Sequence, residues 1–434
     1  MIPASTHGWL SDTLDSAAFA RAFTIATLAA VLGQSAITGL SGSTTYTTIV
    51  VGLCLTGAGI LWRRWREVEL FRILPITLVL LLIWLLTTSL WSRASSETIA
   101  GWLATAGIAF LALVIAHVRD TLQTVRALGD VLRVMLALSL ALEIFSGILI
   151  DMPITFLDIQ GNIVEGGPIQ GIFGTRNMLG FVATIALITF VVEWRTAAIR
   201  PRVAIISVIL AGSLALLSAS PTVLVLLIAV GIATVALAIV RHTPPARRGA
   251  TQITFGSLVA IGLIVAYLLR GPIIGILNAR SDFAMRANLW EMLLIYVRFQ
   301  PVQGWGWFGA WPENVLPFDL LNRLTDGDHA SALNSYFDVL LQAGWVGLVL
   351  FGVMCATAVG RSWLVATARR SVLYAWTPLV LIALLVDSMF ESFTLQGAGW
   401  LLLVLCILRA GLSRSWREGL GARTAVQDSQ NPSG

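Results

Sequence analysis

Residues 73–91 read ILPITLVLLLIWLLTTSLW, without one charged side chain. The hydrocarbon layer of a bilayer needs about 20 apolar residues of helix to cross it. Lipid cannot satisfy open backbone groups, so such a run is expected to be a helix whose N–H and C=O groups bond within the segment. Working outward, comparable runs lie at 21–40, 45–62, 98–117, 131–150, 177–194, 202–219, 222–240, 252–270, 336–359, 375–391 and 395–412. The expectation is an all-α polytopic membrane protein with about 12 transmembrane helices, residues 1–434 forming a single membrane domain. Composition agrees, with 57% apolar and 12% charged residues and a mean hydropathy of +0.84. Soluble domains carry about 25% charged residues.

Every basic residue is arginine, and the arginines sort by loop. With a cytoplasmic N-terminus, 21 of the 28 fall on the cytoplasmic side, the side that the positive-inside rule enriches. Only Arg93, Arg176, Arg270, Arg280, Arg286, Arg298 and Arg323 fall on the other. The expected placement is therefore a multi-pass protein of the cytoplasmic (inner) membrane with both termini cytoplasmic. The basic balance then reflects topology rather than binding of nucleic acid. The first apolar run is long enough to stay as an uncleaved signal-anchor. Cys54, Cys355 and Cys406 all fall inside apolar runs, with no disulfide framework and no metal-type spacing. No metal or cofactor is called for. Residues 418–434 read as a disordered cytoplasmic tail.

Two outer connections are long, 151–176 and 271–335, and long loops tend to carry function. The second is expected to be a large extracytoplasmic loop, between spans nine and ten, that carries the active site. Ser281-Asp282 looks like a helix start, apolar residues recur at helical spacing from Phe283 to Phe299, and Pro301 closes the run. This short amphipathic helix either lies in the headgroup layer or turns Arg286 inward to a diphosphate. Trp305 and Trp307, in the glycine-spaced run GWGWFGAW (304–311), belong to an interfacial aromatic belt or form stacking faces for sugars or a polyprenyl chain. His329 is the only histidine on the outer side; with an ordinary pKa of about 6.5 it is either an inert loop residue or a general base. Asp326 and Asp328 would orient it or cap the next helix. Glu143, Asp338, Asp387 and Glu391 sit in or at the ends of apolar runs, either as polar glue or as functional groups.

Four local patterns resemble the O-antigen ligase and polymerase superfamily of bacterial membrane proteins, exopolysaccharide polymerases included. Gly171-Ile-Phe-Gly-Thr-Arg176-Asn177-Met-Leu-Gly180 is similar to that family's Asn-x-x-Gly opening of the sixth span. Arg286-Ala-Asn-Leu-Trp290 resembles its Arg-x-x-x-Trp helix, and Pro301-Val-Gln-Gly304-Trp-Gly306 its Pro-x-x-Gly-x-Gly turn. Asn334, followed after nine residues by Gly344 and then by Gly347, resembles the end of its His-Asn-x9-Gly-x-x-Gly signature. Two positions depart. Leu333 stands where the signature has histidine, with His329 four residues earlier. Ser218-Ala-Ser220-Pro-Thr222 holds no arginine where the family often has Ser-Arg.

The resemblance implies an inverting glycosyltransferase, a polymerase or ligase in cell-surface or exopolysaccharide biosynthesis. Its donor is a polyprenyl-diphosphate-linked glycan and its acceptor a glycan, a lipid or the wall. Membrane lipids and other polysaccharide assembly proteins are the further partners. On that reading His329 is the base, assisted by Asp326 or Asp328, and Arg286, Arg280 and Arg176 cradle the diphosphate. Asn177 and Asn334 orient polar groups, with Trp305 and Trp307 beside the substrate. The alternative is a membrane transporter or lipid-linked glycan flippase, which calls for an internal repeat and broken central helices.

Overall fold

The computed structural model describes residues 16–63, 74–268, 283–325 and 327–412. Over these it is all-helical, the only β pairing among them being one bridge between Ile154 and Ile159. In chain order the first helices are α1 (Ala17–Leu32), α2 (Gln34–Arg63), α3 (Ile76–Thr87), α4 (Ser95–Val118), α5 (Thr121–Ile144), α6 (Arg176–Arg195) and α7 (Pro201–Leu217). There follow α8 (Pro221–His242), α9 (Pro245–Leu268), α10 (Phe283–Val297), α11 (Phe318–Thr325), α12 (Ser335–Ala368), α13 (Trp376–Asp387) and α14 (Gly397–Leu412). Local chemistry sets several starts. Asp120 and Gln123 form a reciprocal capping box before α5, and Thr175 caps α6 through its side chain. Pro201 and Pro221 open α7 and α8, where a missing N–H costs nothing.

Among the described residues, six helices are long and apolar enough to cross a membrane: α2, α4, α5 with its continuation to Ile150, α6, α8 and α12. α1, α3, α7, α13 and α14 are apolar but shorter, at 10–17 residues including adjoining 3-10 turns. Helices thus stand at the expected segments with shifted bounds, but length and hydropathy alone return six spans rather than twelve. α14 runs through the centre, buried from Gly397 to Ala410, against α4, α12 and α13. A helix apolar on every side is stable only when surrounded. By contrast Ile228, Ile232 and Val235 share an outward face of α8 and are mostly exposed, as a lipid-facing surface requires. All three cysteines are free.

The segment 283–335 is folded rather than draped. Leu289, Leu293 and Val297 of α10 pack with Phe308, Trp311, Phe318, Leu321 and the start of α12 as a second, smaller core. α10 also exposes Met285, Leu294 and Ile295, so its apolar residues do not keep to one face. The clean amphipathic pattern belongs to α11, which buries Phe318 and Leu321 and pairs Asp319 with Arg323 at 2.9 Å.

This segment also breaks α12. Gly344 has φ +67, and a Cβ there would meet the Val302 carbonyl oxygen at 2.2 Å. The carbonyls freed by the break are taken by the inserted turn: Trp305 N donates to Leu341 O at 3.0 Å and Gly306 N to Gln342 O at 2.9 Å. Trp84 Nε1 donates to Ala343 O at 2.9 Å. Non-helical backbone at this depth is tolerated because protein, not lipid, surrounds it. The Pro-x-x-Gly-x-Gly and Asn-x9-Gly-x-x-Gly patterns are therefore two halves of one close backbone contact.

Candidate functional site

A cavity of about 770 Å³ opens where α6 and α12 begin and α13 ends. Its polar lining includes Arg286, Asn177, Glu391, Ser392, Gln34 and a second carboxylate, Asp158. Arg286 on α10 reaches Glu391 through Nη2 at 2.8 Å, with side-chain exposures of 17% and 5%. Its Nη1 donates to Leu333 O at 3.2 Å and also to Phe390 O. From the opposite wall Asn177 Nδ2 donates to the same Glu391 Oε1 at 2.7 Å, while Ser220 Oγ donates to Asn177 Oδ1 at 2.7 Å. Gly180 lets α6 approach α8 this closely, since a Cβ there would lie 2.1 Å from a Val223 methyl. Arg286 and Asn177, from two separate motifs, thus converge on one carboxylate. Glu391 Oε1 is fully engaged, whereas Oε2 makes no hydrogen bond among the described residues.

Asn334 holds the floor. It caps α12, accepting from Tyr336 N at 2.9 Å and Phe337 N at 3.1 Å, and its Nδ2 donates to Met389 O at 2.9 Å. Its role is to tie α12 to the turn that carries Glu391, and it does not itself line the cavity. Beneath it, buried Asp338 accepts from Trp311 Nε1 at 2.6 Å, from Ala332 N at 3.1 Å and from Ser392 Oγ. Glu143 likewise pins a loop, accepting from Gln170 N at 3.0 Å and Gly171 N at 2.8 Å. Of the four carboxylates noted in or beside the apolar runs, these two pin loops and Glu391 reaches the cavity, while a fifth buried carboxylate, Glu193, pairs with Arg133. Asp387 is fully buried, and neither carboxylate oxygen has a partner among the described residues.

The other expected site residues are scattered. Trp307 is 2% exposed, its Nε1 donating to Thr105 Oγ1 at 2.9 Å, so its ring fills the core and offers no stacking face. Trp305 is half-buried, donates to Tyr296 O at 3.2 Å and lies under the Arg93 guanidinium, away from the cavity. Arg176 begins α6 beside Asn177 and makes no hydrogen bond or ion pair through its side chain among the described residues, although it does not line the cavity. Arg280 and Asp326 lie outside the described residues.

His329 sits one step behind the wall, for Ala330 and Ser331 line the cavity and His329 does not. Its backbone is clamped by Asn322, whose Oδ1 accepts from His329 N at 3.0 Å and whose Nδ2 donates to His329 O at 3.2 Å. Its Nε2 is buried without a partner. Burial first, then the nearby Arg286 charge, push the His329 pKa below the ordinary 6.5, against an opposing pull from Asp328. Asp328 itself faces a separate shallow depression with Glu313, Asp319 and Arg323.

Motif reading did not assign Glu391 or the supporting Ser220 to the site, nor the lining residues Gln34, Ser331 and Ser392. Glu391 carried a signal as an ionisable group at the edge of an apolar run. Nothing in the spacing indicates that it meets Arg286, 105 residues earlier. Ser220 stands in the stretch that departs from the family's Ser-Arg, and holds Asn177 by a hydrogen bond instead.

Comparison with known families returns a match of residues 206–352 to the family model described as O-antigen ligase. The matched stretch includes Arg286, Asn334 and Gly344, whereas Asn177 and Glu391 lie outside it. The resemblance read from the motifs is borne out over these residues. No curated protein matches the chain.

Proposed function

We propose that this O-antigen-ligase-like membrane protein transfers or polymerises a polyprenyl-diphosphate-linked glycan at the outer face of the cytoplasmic membrane. The observation that carries the reading is the convergence of Arg286 and Asn177 on Glu391 in a cavity large enough for a sugar and its diphosphate. An acceptor hydroxyl attacks the anomeric carbon, the bond from that carbon to the diphosphate oxygen breaks, and configuration inverts. The hydroxyl proton needs a base and the leaving diphosphate needs cations. Glu391 Oε2, unengaged in the cavity, is the base. Arg286 is already neutralised by Glu391, so the further cation is assigned to Arg176, which stands between the lining residues Thr175 and Asn177 without lining the cavity itself, at a helix start where the dipole adds positive potential. Arg280 is assigned the same duty from the sequence. His329, half-buried with an unpartnered Nε2 and its pKa pushed below the ordinary 6.5, is the alternative base, with Asp328 and Asp326 beside it in the chain.

The arginine distribution supports placing this cavity outside and both termini inside. The transporter reading draws on the break in α12, but the freed carbonyls there are consumed by protein donors rather than presented to a pathway. The test is transfer from a purified lipid-linked glycan by reconstituted protein, with released polyprenyl diphosphate measured alongside. Glu391→Gln should slow transfer by about 10²–10⁴-fold, the usual range for losing a general base. Transfer within a few-fold of wild type, together with a large loss in His329→Ala, moves the base to His329. Full activity in both refutes the assignment of the cavity.

A further inference from the structure

A second cavity, of about 700 Å³, lies at the opposite ends of the helices that build the first. α6 begins at the first cavity with Asn177 and ends at the second with Arg195. α13 runs the other way, starting near the second cavity and ending just short of Glu391. The walls between α6, α8 and α13 are apolar, with Leu187, Val191, Leu227, Val230 and Leu379 among them. Its mouth collects Arg195, Arg241, Arg248, Arg369 and Arg370, from three separate connections.

None of these five arginines has a carboxylate partner among the described residues. Arg241 donates to Ala366 O at 2.8 Å and Arg248 to Thr243 O at 2.9 Å, which fixes them in place without neutralising them. The side chains of Arg195 and Arg370 make no hydrogen bond among the described residues and are exposed. Five like charges around one mouth repel unless an anion sits among them. Guanidinium forks match phosphate oxygens, and the apolar walls beneath match hydrocarbon. The bias of arginine toward cytoplasmic helix ends accounts for the charges, but not for an apolar cavity between helices directly below them. Together they form a basic pocket between apolar helices, the arrangement that holds anionic lipid headgroups.

We propose that this cavity binds an anionic glycerophospholipid of the adjoining leaflet, its phosphate among Arg195, Arg369 and Arg370 and its acyl chains along α6 and α8. The inference is independent of the glycan reading, since it uses none of the residues of the first cavity.

The full chain, purified and delipidated in a non-ionic detergent, is titrated with phosphatidylglycerol, phosphatidylcholine or inorganic phosphate, and binding is read by native mass and by melting temperature. Phosphatidylglycerol should bind and raise the melting temperature, and the other two should not. Arg195→Gln with Arg370→Gln should weaken phosphatidylglycerol about thirtyfold. That is about 2 kcal/mol at 1.4 kcal/mol per decade, from about 1 kcal/mol for each arginine near an anionic surface. Val191→Trp, which fills the apolar wall and leaves every charge in place, should also abolish the effect, and it carries the test alone if the double variant does not fold. Equal binding of phosphatidylcholine, an equal response to inorganic phosphate, or unchanged phosphatidylglycerol binding by Val191→Trp overturns the proposal.

Discussion

The pair Arg286–Glu391 invites a double-mutant cycle, because it joins the 283–335 segment to the turn after α13 and also lines the first cavity. Arg286→Met removes three contacts at once, to Glu391, Leu333 O and Phe390 O, and leaves a carboxylate 5% exposed without its cation. An orphaned buried charge costs about 3–5 kcal/mol. Adding Glu391→Gln removes that charge, so the remaining loss is the unmade hydrogen bonds, about 1–3 kcal/mol. The second substitution should therefore recover roughly 2 kcal/mol of what Arg286→Met loses, a non-additivity expected of residues in direct contact. In detergent, wild type should melt highest, the double variant next and Arg286→Met lowest, while glycan transfer is lost in both variants. A double variant that melts no higher than Arg286→Met would show that Glu391 is not held as a charged partner. A double variant that still transfers glycan would remove Glu391 from the chemistry.

Gly344→Ala should prevent accumulation of folded protein, since its Cβ meets the Val302 carbonyl at 2.2 Å on a backbone with positive φ, and fluorescence-detected size exclusion gives the readout. His329 binds its proton less readily folded than unfolded, so its contribution to stability is present above pH 6.5 and is lost as pH falls from 6.5 toward the lower folded value. His329→Gln should flatten that acid-side decline in melting temperature, and an unaltered profile would count against the burial of the ring. Cysteines placed singly at exposed Asp328 and Arg247, in a chain lacking Cys54, Cys355 and Cys406, report topology. An impermeant thiol reagent should label position 328 but not 247 in intact cells, and the reverse pattern would invert the orientation and move the first cavity inside.

Hydropathy made the all-helical, membrane-type character legible, because lipid imposes one requirement on every span: apolar side chains outside and a backbone bonded within. The 73–91 run shows where such a rule stops. It supplies only the twelve-residue α3 and a short turn, because composition marks an apolar segment but not where neighbours let the helix end. Motif spacing located Arg286, Asn177, Gly304 and Gly344, because turns and close backbone approaches demand particular residues at fixed offsets. What it did not reveal is which pieces meet. An aromatic in a glycine-rich turn reads alike whether it faces a sugar or the core, and only packing turned Trp307 inward onto Thr105. A carboxylate at the edge of an apolar run reads alike as glue or as a reactive group, yet the fold gave Asp338 and Glu143 to loops and Glu391 to the cavity. Helical periodicity is a property of a few neighbouring residues, and the sequence by itself determines it. The Arg286–Glu391–Asn177 junction spans more than two hundred residues, and only the tertiary structure decides it, because three helices and a turn must pack before the charges come within 3 Å.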